Sequence, residues 1–160
     1  MQSISLNSAF ETRPLAQACE VLYQHLARAC PVGLFTLSEV DDERQLATRV
    51  YSSNEIVYPL SGTKSYPQNA WTDKVIRDKQ IFVANSLAAI KDVFFDYETI
   101  AALGLGAVIN LPVIINKQLI GSANILAAEG QYGPAQINTL QQFYPWFTSA
   151  LLQYSLDKGI

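Results

Sequence analysis

Few side chains in this 160-residue chain are equipped to make or break bonds. His25 is the one histidine, and Cys19 and Cys30 are the two cysteines. All three fall within one predicted helix. No Ser-His-Asp arrangement can be built without His25, and little remains for metal ligation. At helical rise the two thiols lie roughly 16 Å apart, beyond disulfide reach, and read as small buried hydrophobes. Tyr58, Lys64 and Asp96 are the remaining acid-base candidates. The residues suited to binding are more numerous. Tyr51, Ser52, Ser53, Tyr58 and Lys64 flank an irregular stretch, and Trp71 begins a short helix. Phe94 and Asp96 lie in a Phe-Phe-Asp run, and Asn110 and Asn124 interrupt apolar strands. A buried amide left unpaired costs about 1–3 kcal/mol, so both Asn residues need partners, which backbone, water or a ligand could supply. Aromatic walls with a few convergent polar groups suit a small ligand held without a covalent bond. Aromatic residues such as Trp71, Phe94 and Phe95 are more often core than ligand wall, and Lys64 fits a solvated surface as well as a site. The expectation is therefore a binding site, with no catalytic residue, metal or cofactor.

The elements that must position these residues follow from periodicity. Leu15, Ala18, Cys19, Leu22, Leu26 and Ala29 recur at helical spacing, predicting a helix from Glu11 or Thr12 to Ala29 with Pro14 in its first turn. Strands follow over Val32 to Val40 and Gln45 to Ser52. In the second, Leu46, Thr48 and Val50 alternate against Ala47, Arg49 and Tyr51. Residues 53–69 are irregular, and a long irregular segment is more often functional than accidental. A short helix (Trp71 to Asp78), a short strand (Gln80 to Ala84) and two helical pieces (Ser86 to Lys91, Asp96 to Leu103) complete the middle. Two apolar runs, Ala107 to Ile115 and Gln118 to Ala127, flank Asn116-Lys117 and predict an antiparallel hairpin. Pro134 opens a last helix to about Leu156, kinked or interrupted at Pro145. Gly104-Leu-Gly106 precedes its strand, so it reads as a tight turn and not as a phosphate loop.

Composition narrows the class. With 49% hydrophobic and 16% charged residues the chain is globular, and its length suits one domain over residues 1–160. Eleven Lys and Arg against 14 Asp and Glu give a net charge of −3, which offers no footprint for nucleic acid or an anionic membrane. The N-terminus lacks a signal-peptide pattern, and the nearly charge-free run from Ile100 to Ala128 reads as paired strands. A cytoplasmic α+β domain is expected.

The order of elements, with Gly104 to Pro112, Leu119-Ile120-Gly121, Gln131-Tyr132-Gly133 and the helix that follows, resembles a GAF domain over nearly the whole chain. Arg49-Val-Tyr-Ser-Ser-Asn54, Tyr58-Pro-Leu-Ser-Gly-Thr-Lys64, Trp71, Phe95-Asp96 and Ile109-Asn-Leu-Pro112 together resemble small bacterial proteins that are single GAF domains. The resemblance implies a PAS-related antiparallel sheet of five or six strands flanked by helices, with N- and C-terminal helices packed together. It implies a pocket between one sheet face and the segment from Tyr51 to Tyr97.

Cyclic-nucleotide-binding relatives carry Asn-Lys, then Phe, then Asp-Glu. Here Asn124 is followed by Ile125, Tyr132 stands for Phe, and Gln136-Ile137 stands for Asp-Glu. Sulfoxide-reducing relatives use cysteines near the pocket, and bilin-binding ones attach through a late cysteine. This chain has no cysteine after Cys30. The expected function is non-catalytic sensing of an unidentified small molecule, with signalling through a homodimer or partner. Leu15, Leu22, Tyr23, Leu26, Phe147, Leu151, Leu152 and Tyr154 on the terminal helices could cover the sheet or form the dimer face. The alternative is an interaction module without ligand, and a third, less favoured reading is a cryptic enzyme that would use Tyr58, Lys64 and Asp96.

Overall fold

The computed structural model describes residues 4–60 and 62–159. Met1 to Ser3, Ser61 of the Tyr58–Lys64 motif and Ile160 lie outside them. Six antiparallel strands form one sheet in the order β3-β2-β1-β6-β5-β4. They are β1 (Leu34–Asp41), β2 (Leu46–Ser52), β3 (Thr63–Ser65), β4 (Phe82–Ala84), β5 (Ala107–Ile115) and β6 (Gln118–Ala127). The expected sheet and hairpin are present. Asn116 and Lys117 both take positive φ (49° and 66°), as a two-residue turn between twisted strands requires.

Period two assigns each strand's side chains to two covers. Phe35, Leu37, Ile109, Leu111 and Ile125 face the terminal helices and pack with Leu22, Leu26, Phe147 and Leu151. Their neighbours Leu34, Val108 and Leu126 face the other way, against Ile90, Ile100 and Leu105. The terminal helices therefore do pack together over the sheet. Leu22, Leu26, Phe147 and Leu151 are consumed in doing so, leaving Leu152 and Leu156 exposed.

The first helix expectation needs correction, and the interruption expected near Pro145 in the last helix is present. The first helix is split into α1 (Leu6–Thr12) and α2 (Leu15–Ala29). Pro14 lies outside the first turn, at the N-cap of α2, and Arg13 before it is extended. Steric conflict with a following proline ring disfavours the helical conformation. Ala29, expected on the buried stripe, is exposed, while Val21 is buried. The last helix is likewise two, α5 (Pro134–Gln141) and α6 (Tyr144–Asp157), with Pro145 in the first turn of α6, where its missing N–H leaves no bond unmade.

Between β3 and β4 the chain makes a π-helix (Thr72–Arg77), whose width shows in Asp78 N–H bonding back to Asp73 O at 2.9 Å. Two short helices, α3 (Leu87–Lys91) and α4 (Tyr97–Ala102), complete the second cover. The irregular stretch contains β3, which pairs with Leu46, Ala47 and Thr48.

Gly121 of β6 marks a close approach between sheet and helix. A Cβ there would press on Ser38 O of β1 and lie 2.6 Å from Leu151 Cδ1 of α6. Overpacking of this kind costs about 1–3 kcal/mol. Gly121→Ala is expected to lower the unfolding free energy by that amount, seen by circular dichroism as a lower urea midpoint at unchanged m-value.

Candidate functional site

On the sheet face away from the terminal helices, two apolar clusters leave a gap. One is formed by Leu34, Val108 and Leu126 with Ile90 and Ile100. The other joins Val40, Leu119, Tyr66, Val75 and Ile76. Between them the same alternating positions carry Thr36 and Ser38 on β1, Asn110 on β5, and Ser122 and Asn124 on β6. These residues line a cavity of about 410 Å³. Its other walls are Ala47, Arg49, the Val57–Pro59 turn, Lys64, Trp71 and the Phe94–Asp96 run before α4. The volume lies in the range of small-molecule sites.

A hydrogen-bond chain crosses the cavity floor. Trp71 Nε1 donates to Asn110 Oδ1 (3.0 Å), and Asn110 Nδ2 donates to Asn124 Oδ1 (2.8 Å). Asn124 Nδ2 then donates to Thr36 Oγ1 (3.1 Å). Ser122 Oγ also donates to Asn124 Oδ1 (3.1 Å). The strand register produces the chain, because Asn110 pairs with Asn124 across β5–β6 and Thr36 pairs with Asn124 across β1–β6. Its direction is set at one end. An indole N–H can only donate, so Asn110 must turn its oxygen toward Trp71 and its NH2 toward Asn124. The same choice then propagates to Asn124. Asn110 is 3% exposed, so these bonds satisfy an amide cut off from bulk water.

The cover is anchored locally. Asn69 Oδ1 accepts from Trp71 N (3.0 Å) and Thr72 N (3.2 Å), which opens the π-helix, while Asn69 Nδ2 donates to Val93 O (2.9 Å). Trp71 meets Phe94 edge-on, with ring centroids 6.3 Å apart. Tyr58 O–H donates to Asp96 Oδ2 at 2.6 Å, and the Arg49 guanidinium sits 5.2 Å above the Tyr58 ring while Nη1 donates to Pro59 O at 2.8 Å. Burial, then the Asp96 hydrogen bond, holds the Tyr58 phenol above its ordinary pKa.

Of the residues singled out in the sequence, Tyr58, Lys64, Trp71, Phe94, Asp96, Asn110 and Asn124 come together on this cavity. Tyr51, Ser52 and Ser53 do not. A β-bulge shifts the β1–β2 register: Leu37 faces Tyr51, but Ser38 faces Arg49. The extra residue puts Val50 and Tyr51 both into the core under the terminal helices. There Tyr51 O–H donates to Glu20 Oε2 on α2 (2.7 Å). Ser52 Oγ accepts from Asn54 N within the turn, and Ser53 Oγ accepts from Phe35 N at the start of β1, so both oxygens serve the backbone. Thr36, Ser38, Arg49 and Ser122 line the cavity and were not singled out. For Thr36, Ser38 and Ser122 the signal is their place in phase with Leu34, Val40 and Leu126 on otherwise apolar strands.

Both cysteines lie under the terminal helices, away from the cavity. Burial pushes the Cys19 thiol from 9.0 up to about 12, the reverse of what a thiolate nucleophile needs. His25 Nε2 lies 2.9 Å from Ile4 O, tying α2 to the start of the chain. Tyr132 is buried, its O–H donating to Pro31 O (2.8 Å) and its N–H to Asn85 Oδ1 (3.0 Å). These bonds secure the loop after β6.

Known proteins place this architecture. No family model and no curated protein matches the chain. Among solved structures, the chain is similar to the GAF domain of a phosphoenolpyruvate-protein phosphotransferase from Coxiella burnetii. The TM-score is 0.72 at 14% identity, over 96% of this chain and 92% of that one. It is similar also to a GAF domain/HD domain protein from Geobacter sulfurreducens (TM-score 0.68, 12% identity, 98% and 100% covered). The fold is that of a GAF domain. A free methionine-R-sulfoxide reductase from Thermoplasma acidophilum shares it as well (TM-score 0.65, 9% identity, 94% and 97% covered). Identities this low carry the fold alone. The GAF fold hosts both sensing domains and an enzyme, so the side chains on the cavity must decide between them. No helix among the described residues is long and apolar enough to cross a membrane.

Two outcomes follow from the side chains. Trp71→Phe removes the indole donor and leaves Asn110 Oδ1 short of its partner, so unfolding stability should drop by about 1–3 kcal/mol. In a double-mutant cycle with Asn110→Ala, most of that loss should disappear. The second outcome is alkaline destabilisation. A thiol whose folded pKa is raised keeps its proton in the folded state after the unfolded chain has lost it. Its contribution is therefore full below pH 9 and lost as pH rises toward 12. Tyr66, pushed up to about 12 by burial and Asp42, adds to the same fall. Urea midpoints under reducing conditions should decline across that window, less steeply in Cys19→Ala.

Proposed function

We propose that this domain is a non-catalytic, cytoplasmic sensor that binds a small molecule without a covalent bond and signals by association with a second copy or a partner. One observation carries the reading. A run of polar residues replaces apolar ones in the middle of an otherwise apolar sheet face, and it borders an open cavity instead of a filled core. Asn110 and Asn124 satisfy each other, but a Leu–Leu pair at the same positions would fill the gap at lower desolvation cost. Keeping two amides, a threonine and two serines there makes sense if an occupant uses their remaining hydrogen-bonding capacity.

The seven lining residues singled out in the sequence form the proposed ligand contacts, with Thr36, Ser38, Arg49 and Ser122 added. Tyr51, Ser52 and Ser53 are dropped from the site. Catalysis is disfavoured because the acid-base candidates are engaged with neighbours or lie at the rim. Tyr58 is tied to Asp96, and Lys64 lies on the exposed edge strand β3. A ligand can signal only through a difference in affinity between two states.

A second reading has its own observation. Leu152 and Leu156 of α6 are exposed next to the packed helices, as an association surface would require. On that reading the domain acts as a dimerisation or interaction module, and the cavity holds only water.

Native and denaturing mass spectrometry of freshly purified protein separates the two. An extra mass that is lost on denaturation is expected, and Trp71→Ala and Asn110→Ala, with circular dichroism showing both still folded, should lose it. A bare dimer that is unchanged in both variants would favour the interaction module.

A further inference from the structure

We infer that the cavity takes a small organic carboxylate, with its planar or apolar body against Trp71 and Phe94 and its anionic end toward Arg49 and Lys64. The inference rests on the sensor reading above and adds the ligand's charge and class. It follows from which hydrogen-bonding valences the lining has left.

The donor-only indole of Trp71 fixes the floor chain, so the amide oxygens are largely consumed. Asn110 Oδ1 takes the indole N–H, and Asn124 Oδ1 takes both Asn110 Nδ2 and Ser122 Oγ. What the two amides have left is mainly donors, while Ser122, having donated its O–H, can only accept. Each amide NH2 has a second N–H beyond the bond it makes in the chain, and Thr36 accepts from Asn124 while keeping its own O–H.

The charges agree with that balance. Arg49 and Lys64 line the cavity as cations, and neither makes an ion pair among the described residues. Arg49 uses Nη1 on Pro59 O, which leaves the rest of its fork available for a carboxylate. The single carboxylate on the lining, Asp96, already accepts the Tyr58 O–H. A cationic ligand would meet two cations against the one carboxylate of Asp96, and a floor of N–H groups. A neutral apolar ligand would leave those donors unpaired. An anionic, acceptor-rich ligand satisfies both.

The carboxylate is preferred to a bulky polyanion on space and composition. Leu34, Val40, Val57, Trp71, Phe94, Ile100, Val108 and Leu126 surround the polar floor with apolar surface. A ligand must therefore carry an apolar body as well as a charge.

The test uses the whole chain labelled with nitrogen-15. Trp71 and Trp146 are its two tryptophans, so the indole N–H resonances form a pair, and Trp71 reports directly from the cavity. Benzoate, benzamide and benzylamine share one ring and differ in charge at pH 7. Benzoate is expected to shift the Trp71 indole resonance saturably and leave Trp146 in place. Its affinity should fall about tenfold in Arg49→Gln, through loss of a charge-assisted bond, and by less in the exposed Lys64→Gln. Higher salt should weaken it as well. Benzamide or benzylamine saturating the Trp71 shift as tightly as benzoate would overturn the carboxylate assignment and leave the sensor reading standing. Benzoate binding unchanged in both Arg49→Gln and Lys64→Gln would also overturn it. No saturable shift with any of the three would count against the sensor reading too.

Discussion

The whole molecule depends on one constraint: the central strands are buried on both faces, so every second side chain answers to a different cover. Under the terminal helices the demand is for close packing, and Phe35, Leu37, Ile109, Leu111 and Ile125 meet it with side chains that are almost fully buried. Under the second cover the demand is uneven. That cover is made of short pieces, a π-helix, two short helices and the turn at Val57–Pro59, which cannot lay one continuous apolar surface on the sheet. The gap between its two apolar clusters is where polar residues become tolerable, and the cavity occupies that gap. Fold and site are two consequences of the same alternation.

The polar floor also shows how a single donor-only group can organise a site. Asparagine is symmetric in shape and ambiguous in direction. Two facing asparagines alone could hydrogen-bond in either sense. Joining the row to an indole N–H at one end removes that freedom, and the hydroxyl at the other end takes whichever role the row leaves it. Each amide then presents a defined polarity to the cavity. The row crosses β5, β6 and β1, so it also links three strands through side chains above their backbone ladder. A substitution at Trp71 therefore reaches Thr36 without touching it.

Much of this was legible from sequence because local periodicity and local turn chemistry agree over long stretches. The hairpin from Ala107 to Ala127, the strand–turn–strand around Asp41, and the marks at Leu111-Pro112, Gly121 and Tyr132 each rest on neighbours in the chain. Asn110 and Asn124 stood out because an amide is costly in an apolar strand, and the register brings them together. What was illegible depended on long-range geometry. The bulge between Leu37 and Ser38 reverses the facing of Tyr51, and strict alternation along β2 gives no sign of it. Thr36, Ser38 and Ser122 looked ordinary because small hydroxyl residues are common in strands. Their meaning appears only when three strands are laid side by side. The break at Pro145 was legible, whereas Pro14 falls inside the expected first helix because it sits within a longer amphipathic pattern. The conformation of the residue before the proline decided otherwise at Arg13.

The two covers also differ in how much holds them. The terminal-helix face is held by a continuous apolar core, and no small perturbation there is cheap. The turn over the cavity is held by a few side-chain bonds, chiefly Tyr58 to Asp96 and Arg49 to Pro59. Each such bond contributes about 0.5–1.5 kcal/mol net, more where a charge takes part. A ligand at a hundred times its dissociation constant adds about 2.7 kcal/mol to the form that binds it. That matches the net worth of one charge-assisted contact in the turn, about 1.5–3 kcal/mol. On the proposed reading, occupancy should therefore be felt first in the second cover. Ile56 at 95% and Phe95 at 93% exposure stand on that cover and are unsupported by any core. Bound and empty forms would then differ most in the surface these two residues present, while the helices and the sheet beneath them stay fixed.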